Sequence, residues 1–179
     1  MVMSVLKFFG YVLFFLLALM YFTPKVNLYY LLESKLKEKS IIIDKETLRD
    51  NGFTLSINNA KVNVKEIQSA KIEVINIKIF ALYNSILLKN IELSSVASSI
   101  IPTKIAYVDV VYNILNPLQV KVKSVGDFGE IVVNLKILDG IFHLELNPSK
   151  VMLVNYRQTL RMFKKTQEGV YIYDKTIKY

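Results

Sequence analysis

No cysteine occurs among the 179 residues, and tryptophan is also missing. Without cysteine the chain can build neither a disulfide framework nor a thiolate metal site. The absence leaves the compartment open, since an oxidising one would do such a chain no harm. Histidine occurs once, at His143, and arginine three times, at Arg49, Arg157 and Arg161. The six glycines are scattered and form no phosphate-cradling loop. The run GDFG at 126–129 contains a fragment of the kinase signature, but the glycine loop, strand lysine and catalytic loop that must accompany it are missing.

His143 stands between Phe142 and Leu144 in an alternating run, so it points away from their face, and no neighbour supplies the partners of a triad or a metal site. Acidic pairs such as Asp44 and Glu46 sit near turns. These absences lead us to expect a non-enzymatic protein with no cofactor and no metal. The net charge of +8 favours acidic partners or anionic lipid head groups. Its lysines are spread along the chain without a nucleic-acid recognition motif, so no nucleic-acid partner is expected.

What the chain does contain is apolar surface: 53% of residues are hydrophobic and the mean hydropathy is +0.34. The densest block, Phe8 to Phe22, has no charged residue and no proline. With Val5 and Leu6 it matches the ~20 residues that cross a ~30 Å hydrocarbon core as a helix. Phe8, Phe9, Tyr11, Leu13 and Phe14 form its first half as an anchor; Phe15, Leu16, Leu17, Tyr21 and Phe22 form its second. Lys7 lies where its stem can reach the head groups, and Pro24 ends the span. No small-x-small pair follows the block, so an uncleaved anchor is expected rather than a removed signal peptide. Lys25, Lys35, Lys37 and Lys39 follow the span, which by the positive-inside rule favours a cytoplasmic domain, although long domains translocate largely regardless of charge.

The organisation expected is an anchor at 1–24, a juxtamembrane amphipathic helix at 25–40 and a β-rich domain at 41–179. Leu28, Leu31, Leu32 and Leu36 share one face of the second helix, which lies either on the membrane surface or on its own domain. The period then changes to 2. FTLSI and AKVNVKE read as strands separated by an Asn58-Asn59 turn. In AKIEVINIKIF the apolar phase slips by one residue at Val74–Ile75, the mark of a bulge or bend. TKIAYVDVVYNIL is apolar on both faces, LQVKVKS alternates strictly, and EIVVNLKIL joins IFHLELN through an Asp139-Gly140 hairpin.

Asn147-Pro148 predicts the start of a helix over 148–165, closed by Gly169, before a last strand VYIYDK. The sum is eight or nine mostly antiparallel strands in meander order. Such a sheet either encloses its own core or leaves a curved apolar groove. Candidate groove positions are Ile105, Tyr107 and Val111 on the two-faced strand. Val120, Val122, Val133, Leu135 and Leu144 extend the set along the following strands.

The segment from Ala106 to Ser149, followed by a charged helix and EGVYIY, resembles the protein N family of type II secretion systems, GspN. That family is itself similar to AsmA-like inner-membrane proteins. The shared features are Asn116-Pro117-Leu118, Gly126 with Phe128-Gly129, the hairpin at Asp139-Gly140, the 146–148 ending, and Gly169 with Tyr171 and Tyr173. The resemblance covers about 5–40 and 100–175. It implies a curved antiparallel sheet, open as a roll or groove, in the periplasm behind a single-pass anchor in the bacterial inner membrane. It also implies an accessory role in a type II secretion or type IV pilus-like machine, with membrane lipids and other inner-membrane secretion proteins as partners. The alternative is AsmA-like lipid binding or transfer in an apolar groove.

Overall fold

A computed structural model describes residues 2–80, 83–113, 116 and 118–176. Ile114, Leu115 and Pro117, which belong to the expected strand end and the Asn-Pro-Leu motif, lie outside them. The apolar N-terminal block forms one helix, α1 (Val2–Phe22), whose stretch Val5–Phe22 is long and apolar enough to cross a membrane and contains no buried residue. Pro24 separates it from α2 (Lys25–Glu38), as a residue without a free N–H should.

Eleven strands follow: β1 (Ile41–Asp44), β2 (Thr47–Asp50), β3 (Thr54–Val64), β4 (Ile67–Ile79), β5 (Tyr83–Leu93), β6 (Lys104–Asn113), β7 (Gln119–Gly126), β8 (Gly129–Lys136), β9 (Ile141–Pro148), β10 (Lys164–Lys165) and β11 (Tyr171–Thr176). Two short helices, α3 (Lys150–Asn155) and α4 (Arg157–Leu160), lie between β9 and β10. All strands join one antiparallel sheet in the order β1-β3-β4-β5-β6-β7-β8-β9-β11-β10, with β2 also on β3. The fold is therefore mainly β, with the meander that short connections favour.

The core lies on one face, and its phase explains the sheet. Leu55 and Ile57 are buried, and so is Ala60, three residues further on; Ile72 and Ile75 show the same spacing. Leu88 and Ile91, then Ile105 and Val108, repeat it against the same cluster. Strict alternation would send one member of each pair to the other face. The slips are in register, because Ile57 faces Ile75, Ala60 faces Ile72, Ile75 faces Leu88 and Ile91 faces Ile105. Asn59 and Asn90 absorb two of them with left-handed backbone, at φ 58° and 52°, a conformation Asn tolerates better than most residues. On β6 the slip takes the form of a bulge between Ile105 and Tyr107.

Helices cover this face at two places. Tyr29 of α2 is buried among Leu55, Ile57 and Ala60. At the far side, Met152 and Leu160 from α3 and α4 pack with Phe128 and Leu146. Each cluster buries four or more apolar side chains, at ~1.5–3 kcal/mol per fully buried large one.

Several expected boundaries differ. Asn58-Asn59 is no turn: β3 runs through it, because the left-handed Asn59 lets the strand slip phase without reversing. Pro148 ends β9 rather than opening a helix. The cap is Ser149, whose hydroxyl accepts from the Met152 N–H at 3.1 Å. The helix expected over 148–165 stops at Leu160 and is broken at Tyr156, whose backbone turns to φ −121°, ψ 36°. Gly169 then serves the β10–β11 turn, donating to the Thr166 carbonyl at 3.1 Å, instead of closing a helix.

Candidate functional site: the apolar face and the anchor junction

Between the two helix-covered clusters, the same face continues as two cross-strand rows. Val110, Val122, Val133 and Leu144 face one another in turn across β6 to β9. Tyr112, Val120, Leu135 and Phe142 form the second row. All eight are only half-buried, and neither row is among the fully buried core residues. Apolar surface in a continuous band of this kind is the feature that soluble sheets usually cover.

At its α2 side the band opens into a cavity of about 380 Å³. Leu28, Tyr29 and Leu32 of α2 form one wall; Ile77, Ile79, Ile86, Val110, Tyr112 and Val120 form the other. That volume falls within the ~300–1,000 Å³ of small-molecule sites. Leu28 and Leu32 stay exposed although they face apolar neighbours, because the space between helix and sheet is unfilled. Burial pushes the Tyr29 phenol well above its usual range, and the charge of Glu46, which accepts its hydrogen bond at 3.3 Å, adds to this.

The cavity adjoins the end of α1. Lys25 is fully buried there, its ammonium donating to the Met20 and Thr23 carbonyls at 3.1 Å each and lying 4.0 Å from Asp50 Oδ1. A lysine so placed satisfies carbonyls that the last turn of a helix leaves unpaired. Tyr21 rests against Gly52 and meets the Phe53 ring edge-on at 5.4 Å, while Phe53 stacks on Phe80 at 6.1 Å. The end of the apolar helix is therefore packed onto the sheet and not joined to it by a free linker.

The register divides the candidate groove positions. Val120, Val122, Val133, Leu135 and Leu144 share the band, and Ile105 lies on the same face beside the two core clusters. Tyr107 and Val111 do not join them. Val111 faces Lys121 and Tyr107 faces Val125, on the opposite side, because the bulge after Ile105 moves the phase of β6 by one residue. The cavity wall from α2 was legible in the leucine stripe of 28–36, but its pairing with Ile77, Ile86 and Tyr112 was not.

Of the ten anchor positions, all lie in α1 and all are exposed, and Tyr21 at its end is the one described above as resting on the sheet. His143 lies on the sheet face opposite the band, its Nδ1 2.5 Å from Asp174 Oδ1 and its Nε2 3.0 Å from Glu145 Oε1. The Asp174 and Glu145 carboxylates hold its pKa above the usual 6.5. This is a cross-strand clasp between β9 and β11, with no nucleophile in it.

A larger cavity of about 920 Å³ lies across β3 to β7. Lys61, Lys71 and Lys104 alternate there with Glu73 and Glu92, a mixed-sign lining with no net preference for one ligand charge. Comparison with family models, with curated proteins and with solved structures gives no match to this chain.

Proposed function

We propose that this chain is a non-enzymatic, single-pass membrane protein whose sheet shelters an acyl chain on its apolar face. The anchor is α1, and the domain from residue 41 onwards lies in the periplasm behind a bacterial inner membrane. This reading is AsmA-like lipid binding, with the half-covered band curving into an open groove. One observation carries it: the unfilled apolar cavity between α2 and the sheet adjoins the end of the helix long enough to cross a bilayer. A lipid leaving the bilayer beside α1 meets Leu28, Leu32 and Val120 before it meets water. Each methylene moved from water to that wall contributes ~0.8 kcal/mol, so six of them give about 5 kcal/mol. Native mass spectrometry of the full chain released from nanodiscs tests this. A retained phospholipid is expected, and its loss when Ile86→Trp and Val120→Trp fill the cavity. A chain that emerges empty under conditions preserving its fold contradicts the reading.

A second reading keeps the secretion-machine role, as a GspN-like accessory that docks by strand addition. It is favoured by the outer edge of β11, where β10 pairs only with Tyr171 and Ile172 and leaves Tyr173 to Thr176 open among the described residues. Crosslinking from Tyr173 or Lys175 in native membranes should then capture an inner-membrane assembly protein. Lipid capture at Val120 without any such adduct would remove this reading.

A further inference from the structure

The segment from Leu146 to Gln167 carries five cations and no carboxylate, including two of the three arginines in the chain. Lys150, Arg157, Arg161, Lys164 and Lys165 are all exposed, and none makes an ion pair among the described residues. Apolar side chains stand out of the same segment: Val154 and Met162 are each 63% exposed. The Thr159 hydroxyl donates to the Ile100 carbonyl at 2.6 Å, which brings exposed Ile100 into this patch. Lys165 lies 5.9 Å over the Tyr171 ring and Arg157 donates to the Leu153 carbonyl at 3.4 Å, contacts that leave the positive charge of both unneutralised. Cations without a carboxylate partner, interleaved with exposed aliphatics, are what an anionic lipid surface binds: head groups take the charge and the acyl boundary takes the side chains.

The position of the patch selects which surface. The end of α1 packs where β3 begins and β4 ends, at Gly52, Phe53 and Phe80. The patch lies at the other end of the strands, where β5 ends, β6 begins and β9 ends. The eleven residues of β5 put roughly 33 Å between the two ends. With the five strand spacings from β4 to β9 added sideways, at ~4.8 Å each, a sheet tethered by α1 holds the patch within about 40 Å of its own anchor point, which gives the second contact a millimolar-scale effective concentration, and no separate membrane has that advantage. Helices α2 and α3 also lie on the same face of the sheet, the face with the open band.

We propose that the α3–α4 segment is a second, reversible membrane contact, binding the anionic phospholipid surface of the bilayer that holds α1 and laying the apolar face toward that bilayer. The proposal rests on the reading of α1 as the anchor.

The absence of cysteine makes the test clean. Val154→Cys carries an environment-sensitive dye on the full chain, reconstituted in nanodiscs of phosphatidylcholine alone or with phosphatidylglycerol. Emission should shift to the blue only in the anionic discs and return in ~1 M salt, where the screening length is about 3 Å. Arg157→Gln, Arg161→Gln and Lys164→Gln together should weaken the contact about 100-fold, at about fivefold per cation. Lys121→Gln with Lys123→Gln, on the opposite face of β7, should leave it unchanged. Equal shifts in neutral and anionic discs, or none in either, overturn the proposal. So does a shift that needs separate anionic vesicles, or one that polyglutamate produces equally well, which would assign the patch to a second membrane or to an acidic protein. A chain that elutes apart from the discs sinks the anchor reading itself, whereas one that stays with the disc while its dye remains in water sinks only this inference.

Discussion

Gly129→Ala is expected to cost about 2–6 kcal/mol, and the structure separates that figure into two parts. Gly129 sits at φ +111°, where a side chain is strained at ~1–3 kcal/mol. A methyl group there would also meet backbone: the Asn147 carbonyl oxygen, the Ser149 nitrogen at 2.7 Å and the Pro148 carbonyl carbon at 2.9 Å. None of these can move cheaply. Glu130 pairs with Asn147 in the sheet, and the Ser149 N–H donates to the Phe128 carbonyl at 2.9 Å. Forcing a methyl into such a fixed setting adds ~1–3 kcal/mol. Gly169 is the internal control, because it has φ +85° but nothing within 4 Å of an added Cβ. Gly169→Ala should therefore show the backbone strain alone. Urea unfolding of both variants in the full chain, followed by far-ultraviolet circular dichroism, measures the difference. Equal losses for the two alanines would refute the claim that β9 closes directly over Gly129.

Three further perturbations probe other parts of the fold. Phe128→Ala should cost ~3–5 kcal/mol, since Phe128 is buried against Leu146, Met152 and Leu160 and the space left cannot collapse between a sheet and two helices; chemical unfolding reads it. Asn59→Val should cost ~1–2 kcal/mol, more than Asn58→Val, because only residue 59 holds a left-handed backbone that a β-branched side chain resists; the same assay applies. His143 has a folded pKa raised above 6.5 by Asp174 and Glu145, so its contribution is complete below pH ~6.5 and lost as pH rises through the raised value. With all three side chains partly exposed, stability should fall by no more than ~1 kcal/mol between pH 6 and 9, and His143→Gln should remove that dependence.

Long periodic patterns carried most of what could be read from the chain. The apolar block at 8–22, the leucine stripe of α2 and the alternation of 118–123 each specify an element by a repeat that no tertiary contact has to supply. The phase change near Val74–Ile75 was also visible, yet it is one of four slips in register across β3 to β6, and only pairing aligns them. Asn58-Asn59 carried the composition of a turn, but its left-handed residue serves a strand. The break at Tyr156 had no local signal, since no proline or glycine lies between Pro148 and Gly169. On the apolar face, one unseen bulge at Ala106 decided that Tyr107 and Val111 face away. Period-2 reasoning carries an error of one residue through to the end of a strand. The cavity wall is the part least accessible to sequence, because most of it joins α2 to strands more than forty residues away.

A photoreactive p-benzoylphenylalanine placed in turn at Val120 and at Val111, in the full chain within native membranes, tests the central claim most directly. The two positions lie on β6 and β7 but on opposite faces of the sheet. The account predicts a lipid adduct from position 120 and none from position 111. Adducts from both positions alike, or from 111 alone, would contradict it.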